Sequence, residues 1–118
     1  MNTKIIYDSD VDSLFLSNKK KNERVKGSAI AGDFIIDFTT RRKVVGLEIK
    51  KASEFFKPLN VTRNMLSNIR SAALEVDNKN PYRIVIWVLL GLPKRKEEIK
   101  VPVTIPTSYD IGIGKATA

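Results

Sequence analysis

The chain has 118 residues, 42% of them hydrophobic, and carries 21 Lys plus Arg against 13 Asp plus Glu, for a net charge of +8. That is one domain's worth of chain with enough apolar residues for a packed core. It contains neither Cys nor His, which excludes disulfides, thiolate nucleophiles, Cys/His zinc sites and every catalytic group built on imidazole.

The N-terminus, MNTKIIYDSD, has too short an apolar run for a secretory signal. The longest apolar run, Ile84 to Leu90, is seven residues, far below the ~18 of a membrane helix. A cytoplasmic protein without membrane contact is expected. Each half of the chain carries +4, so neither end is a charged tail. A single domain over 1–118 follows, with a hairpin unit over 4–56, a helix plus hairpin over 57–108, and a flexible tail over 109–118.

Short apolar runs at Lys4–Tyr7 and Ser13–Leu16 flank the polar turn Asp8-Ser9-Asp10-Val11-Asp12 and suit a hairpin. Asn18–Lys26 is a lysine-rich loop. Ala29–Phe38 and Lys43–Lys50 alternate with period two and close into an antiparallel pair. Sharing a core face limits their register to odd index sums. The tightest such closure sets Ile36 against Val45, Phe34 against Leu47, and Asp33 opposite Glu48.

Pro58 breaks any helix begun at Ser53. Thr62 is a good N-cap, and Met65, Leu66, Ile69, Ala72, Ala73 and Val76 recur at helical steps, which predicts an amphipathic helix over 62–77. Tyr82–Leu90 reads as a strand buried on both faces. Its partner, Glu97–Ile105, contains Pro102 and should lie at an edge. The expected fold class is α+β: a mostly antiparallel sheet of three successive hairpins, with one helix before the last. One helix can shield only one sheet face, so self-association, most simply as a dimer, is expected.

Three groups of residues are candidates for function. Asp8, Asp10 and Asp12 have the D-x-D-x-D spacing of a calcium loop. Ser13 and Lys19, however, stand where such a loop needs Gly and Glu, so turn hydrogen bonding explains the acids better. The second group is Asp33, Asp37 and Glu48. Opposed carboxylates on a sheet are destabilising unless splayed into water or given a cation, and such a pair can also hold a cation or hydrolyse a bond. The third group is cationic: Lys19, Lys20, Lys21, Arg24 and Lys26; Arg41, Arg42 and Lys43; and Lys94, Arg95 and Lys96. Gathered on one face, these would track nucleic-acid phosphates. Glycines are scattered and none opens a helix, so no nucleotide loop is present and no cofactor or metal is expected. The Lys/Arg/Ile/Val bias without Cys or His suits a heat-stable protein.

The run Tyr7-Asp8-x-x-x-Asp12-x-Leu14-Phe15-Leu16, then Asp33 and Asp37, then Val44-Val45-Gly46-Leu47-Glu48-Ile49 and Ala52-Ser53, resembles the domain of unknown function 2283 family over residues 4–56. The resemblance implies an antiparallel hairpin unit, non-enzymatic members, and in some cases an antitoxin-like pairing with a small toxin. By position it carries over Asp8, Asp12 and Glu48. The polybasic insert near Lys19 and the turn Arg41-Arg42-Lys43 depart from that pattern. The function expected from the residues is a non-catalytic binding protein whose basic loops meet nucleic acid. The alternatives are an antitoxin-like module with a small acidic protein partner, and a carboxylate-based cation-binding or hydrolytic protein using Asp12, Asp33 or Glu48.

Overall fold

The computed structural model describes residues 3–40 and 43–106. In chain order the elements are β1 (Lys4–Asp8), β2 (Ser13–Ser17), β3 (Val25–Ala31), β4 (Phe34–Thr39), β5 (Val44–Lys50), α1 (Ala52–Phe56), a 3-10 turn (Lys57–Leu59), α2 (Arg63–Leu66), β6 (Ser71–Asp77), β7 (Arg83–Gly91) and β8 (Ile99–Pro106). They make a five-stranded sheet of order β1-β2-β5-β4-β3 and a three-stranded sheet β6-β7-β8. All pairings are antiparallel. The α+β, mostly antiparallel class holds. The expected tail over 109–118 lies outside the described residues.

Period-two alternation explains which side of the large sheet is buried. Leu14 and Leu16 on β2, Ile36 on β4, and Leu47 and Ile49 on β5 are all fully or almost fully buried. They belong to one cluster with Ile84, Ile86, Val88 and Leu90 of β7 and Val103 and Ile105 of β8. The second sheet thus supplies the cover that a helix was expected to give. Ala52 and Phe56 of α1, Val61, and Leu66 of α2 close one end of this core. Asn18 ties the sheets together, with its Nδ2 donating to Leu74 O at 2.7 Å.

Four expectations are corrected. Only Arg63–Leu66 of the expected helix over 62–77 is helical, with Thr62 Oγ1 accepting from Met65 N as its cap. Ser71–Asp77 is a strand instead. Its Ala72 and Val76 satisfy a period of two as well as the helical steps, and pairing along the whole of β6 with β7 decides between them. Secondly, Ala29–Phe38 is not one strand. Gly32 (φ +62) and Asp33 form a two-residue turn between β3 and β4, with glycine at the position that a type II′ hairpin reserves for positive φ.

Thirdly, the β4–β5 register sets Ile36 against Leu47 and Phe34 against Ile49. The index sum is odd as required, but two residues looser than the tightest closure. Ile35, not Asp33, therefore stands opposite Glu48. Fourthly, β7 is not buried on both faces: Ile84, Ile86, Val88 and Leu90 are buried, while Val85, Trp87 and Leu89 alternate with them half-exposed. The edge position of β8, with its Pro102, is as expected. No helix among the described residues is long and apolar enough to cross a membrane.

Candidate nucleic-acid interface

The β2–β3 loop and the β4–β5 turn both leave the same end of the five-stranded sheet, because β2 and β4 run toward it and β3 and β5 run away. Glu23 joins them. Its carboxylate accepts from Lys20 N at 2.8 Å and from Lys43 Nζ at 3.2 Å. The backbone N–H of Lys20 first, then the Lys43 ammonium, hold the Glu23 carboxyl below the usual carboxylate range. Lys19 Nζ folds back onto the carbonyls of Lys20 and Glu23, which fixes the course of the loop.

Six exposed cations lie on these segments: Lys19, Lys20, Lys21 and Arg24 in the loop, Lys26 at the start of β3, and Lys43. Among the described residues, Lys43 alone of these six has a carboxylate partner. Between the two loops runs a groove of about 440 Å³ lined by Lys20, Asn22, Glu23, Arg24, Thr39 and Thr40. Arg41 and Arg42 lie outside the described residues.

The third basic loop is elsewhere. Arg95 Nη2 donates to Leu59 O and Asn60 O at 3.1 and 3.0 Å, which anchors Lys94–Lys96 to the segment between α1 and α2. On that side Arg63 of α2 reaches the β1–β2 turn through Ser9 O. That turn is at the opposite end of the five-stranded sheet from Lys43. Lys43 and the β2–β3 loop come together, and Lys94–Lys96 stands apart.

The acidic candidates each have a local task. Asp8 Oδ1 accepts from Asp10 N, an Asx turn. Asp12, only 7% exposed and in the left-handed region at φ 53, points inward. It accepts from Tyr7 Oη at 2.6 Å, from Ser53 Oγ at 2.6 Å and from Ser53 N at 3.0 Å. Arg63 stands 3.6 Å away, and the Asp12 carbonyl takes the Ala52 N–H. Asp12 thereby caps α1 from a distance, since Lys51 at the N-cap supplies no side-chain bond.

Burial pushes the Asp12 carboxyl upward, but the bonds from Ser53 and Tyr7 and the Arg63 charge outweigh it and leave it below the usual range. Burial and that same bond push the Tyr7 phenol up to about 12. Sequence reading missed the roles of Tyr7, Ser53 and Arg63. The available signal was the pairing of Tyr7 and Asp12 around one turn with Ala52-Ser53 immediately after the last strand.

Asp37 accepts from Ser28 Oγ and lies over Gly46, where a Cβ would come within 3.0 Å of its carboxylate. Glu48 accepts from Ser13 Oγ at 2.7 Å. Asp33 sits in the β3–β4 turn, its carbonyl bonded to Lys50 N. Among the described residues, no three acids stand close enough together to hold a metal ion.

Residues 4–53 match the model of a family described as a protein of unknown function (DUF2283). The match spans β1 to the start of α1 and ends on the serine that binds Asp12. The sheet β6-β7-β8 lies beyond it. No curated protein and no solved structure matches the chain.

Proposed function

We propose that this is a non-catalytic binding protein that holds nucleic acid by its phosphates at the basic end of the five-stranded sheet. The observation that carries this reading is the contact of the β2–β3 loop with Lys43 through Glu23, which leaves a groove edged by cations with a single carboxylate. Lysine and arginine held without carboxylate partners keep their full charge for phosphate, and affinity then comes mostly from counterion release. The Thr39–Thr40 and Asn22 positions add neutral polar groups to the groove, which suits backbone contact better than base readout.

The test is fluorescence anisotropy of labelled duplex DNA and of single-stranded RNA over a series of salt concentrations. About five neutralised phosphates correspond to a log–log salt slope near −4.5 on duplex DNA. No binding at low salt, or an affinity indifferent to salt, overturns the reading.

A second reading, an antitoxin-like protein-partner module, is supported by the outward face of the five-stranded sheet. There Ile6, Phe15, Glu48, Ile35 and Ile30 form one row across all five strands, with Ile6 49% and Ile30 64% exposed. A stoichiometric complex with the product of a neighbouring gene, lost in Ile30→Lys, is its test. Failure to form any such complex removes it.

A further inference from the structure

We propose that the outward face of the three-stranded sheet is a two-fold interface on which a second copy of this chain sits. Facing away from the core, β7 presents Val85, Trp87 and Leu89. On one side β6 brings Glu75 beside Trp87 and Asp77 beside Val85. On the other, β8 brings Lys100 beside Leu89 and Pro102 beside Trp87. The face thus carries Glu75 and Asp77 on one edge, an apolar strip along the middle, and Lys100 with Pro102 and Thr104 on the other.

A two-fold axis parallel to β7 lays the β6 edge of one copy on the β8 edge of its partner, twice over, with Glu75 at the level of Pro102, two residues along β8 from Lys100, and sets the apolar strands on each other. That is the self-complementarity an isologous contact requires. An axis across the strands would instead oppose Glu75 with Glu75. Arg83, at the end of β7, falls at the rim, where the usual angle of about 30° between packed sheets carries the strands apart. The outward face of the five-stranded sheet fails the same condition, since a two-fold through its centre sets Glu48 on Glu48.

Two further features agree. Lys100 spans the face within its own sheet, with Nζ 4.9 Å from the Trp87 ring and 3.9 Å from Glu75, so it has the reach to exchange its own Glu75 for the partner's. Beside Trp87 lies a depression of about 300 Å³ with Glu75, Asp77, Lys79 and Lys100 in its wall, so both signs of charge border the apolar strip. Pro102 withholds an N–H from edge β8 and disfavours growth of the sheet there, so the contact is face to face. Three strands at ~4.8 Å spacing and about eight residues at ~3.3 Å give roughly 400 Å² per copy. At about 800 Å² in all this is a small interface, of the size of weak, transient contacts.

The test is analytical ultracentrifugation of the full chain from about 5 to about 500 µM, with the emission of Trp87, the sole tryptophan, followed in parallel. The wild type is expected to pass from monomer to dimer with a blue shift. Glu75→Lys and Lys100→Glu, each at an exposed position and each checked for an unchanged circular dichroism spectrum, are expected to dimerise at least tenfold more weakly alone. Mixed in equal amounts they are expected to regain the dimer, because each contact then pairs opposite charges. An intrachain effect could not be rescued by mixing. A wild type that stays monomeric throughout, a dimer indifferent to both substitutions, or a mixture that stays monomeric overturns the proposal. So does a monomeric wild type whose Trp87 is quenched by duplex DNA, which would assign the face to nucleic acid.

Discussion

The two sheets are held by different means. In the five-stranded sheet, three carboxylates are each bonded by a serine hydroxyl: Asp12 by Ser53, Asp37 by Ser28 and Glu48 by Ser13. The three-stranded sheet relies on one buried apolar row, and its side-chain polar contacts are exposed and long: Glu75–Lys100 at 3.9 Å and Ser71–Glu98 at 3.4 Å. Polar bonds of fixed geometry specify register and turns, whereas apolar rows specify only which face is inside. The contrast coincides with the limit of the family match, which stops at Ser53.

Substitutions can break this comparison. Removing apolar bulk should cost both sheets alike: Leu47→Ala and Ile86→Ala, both fully buried, should each lose about 3–4 kcal/mol in urea unfolding. Unequal losses would mean that the two sheets do not share one core.

Polar truncation should discriminate. Asp12→Ala leaves the Tyr7 hydroxyl, the Ser53 N–H and Arg63 without their acceptor and should lose about 2–3 kcal/mol. The pH dependence sharpens this. Because the folded Asp12 carboxyl lies below its ordinary value, its contribution is present above about pH 4 and is lost as pH falls through the folded value. Tyr7 is raised to about 12, so its contribution is complete below about pH 10 and is lost as pH rises through about 12. Asp12→Asn should flatten the acid limb of stability against pH, and Tyr7→Phe the alkaline limb.

Gly46→Ala should cost about 1 kcal/mol by pressing on Asp37, and less in a Ser28→Ala background, where the carboxylate is free to swing. Thermal melts of the single and double variants measure the difference. The smallest effect is expected in the other sheet, where Glu75→Ala should change monomer stability by less than about 0.5 kcal/mol.

Much of the strand content was legible because alternation is a local signal. Leu14/Leu16 and Val45/Leu47/Ile49 declare their buried face without knowledge of any partner strand. The odd-sum rule for β4 and β5 followed from the same logic. The exact register did not, since it depends on how many residues the β4–β5 connection spends outside the ladder. Ser71–Asp77 reads as helix because Ala72 and Val76 suit either period, and only the distant β7 decides. Gly32-Asp33 was overlooked inside an apolar run, although a single glycine there suffices for a two-residue turn.

At the candidate site, the cations themselves were visible in the chain, but their convergence was not. It rests on Glu23, one acid in a basic loop, reaching Lys43 twenty residues away. The inward turn of Asp12 was equally hidden, because two of its donors, Ser53 and Arg63, come from α1 and α2, some forty to fifty residues later.

If geometry, and not net charge, makes the basic end a docking surface, two double variants with the same change in charge should behave differently. Lys20→Glu with Arg24→Glu should weaken duplex DNA binding at least tenfold and flatten its salt slope by about two, whereas Lys94→Glu with Lys96→Glu at the far end should change it less than about threefold. Equal losses from the two pairs, or none from the first, would contradict the assignment of that groove to nucleic acid.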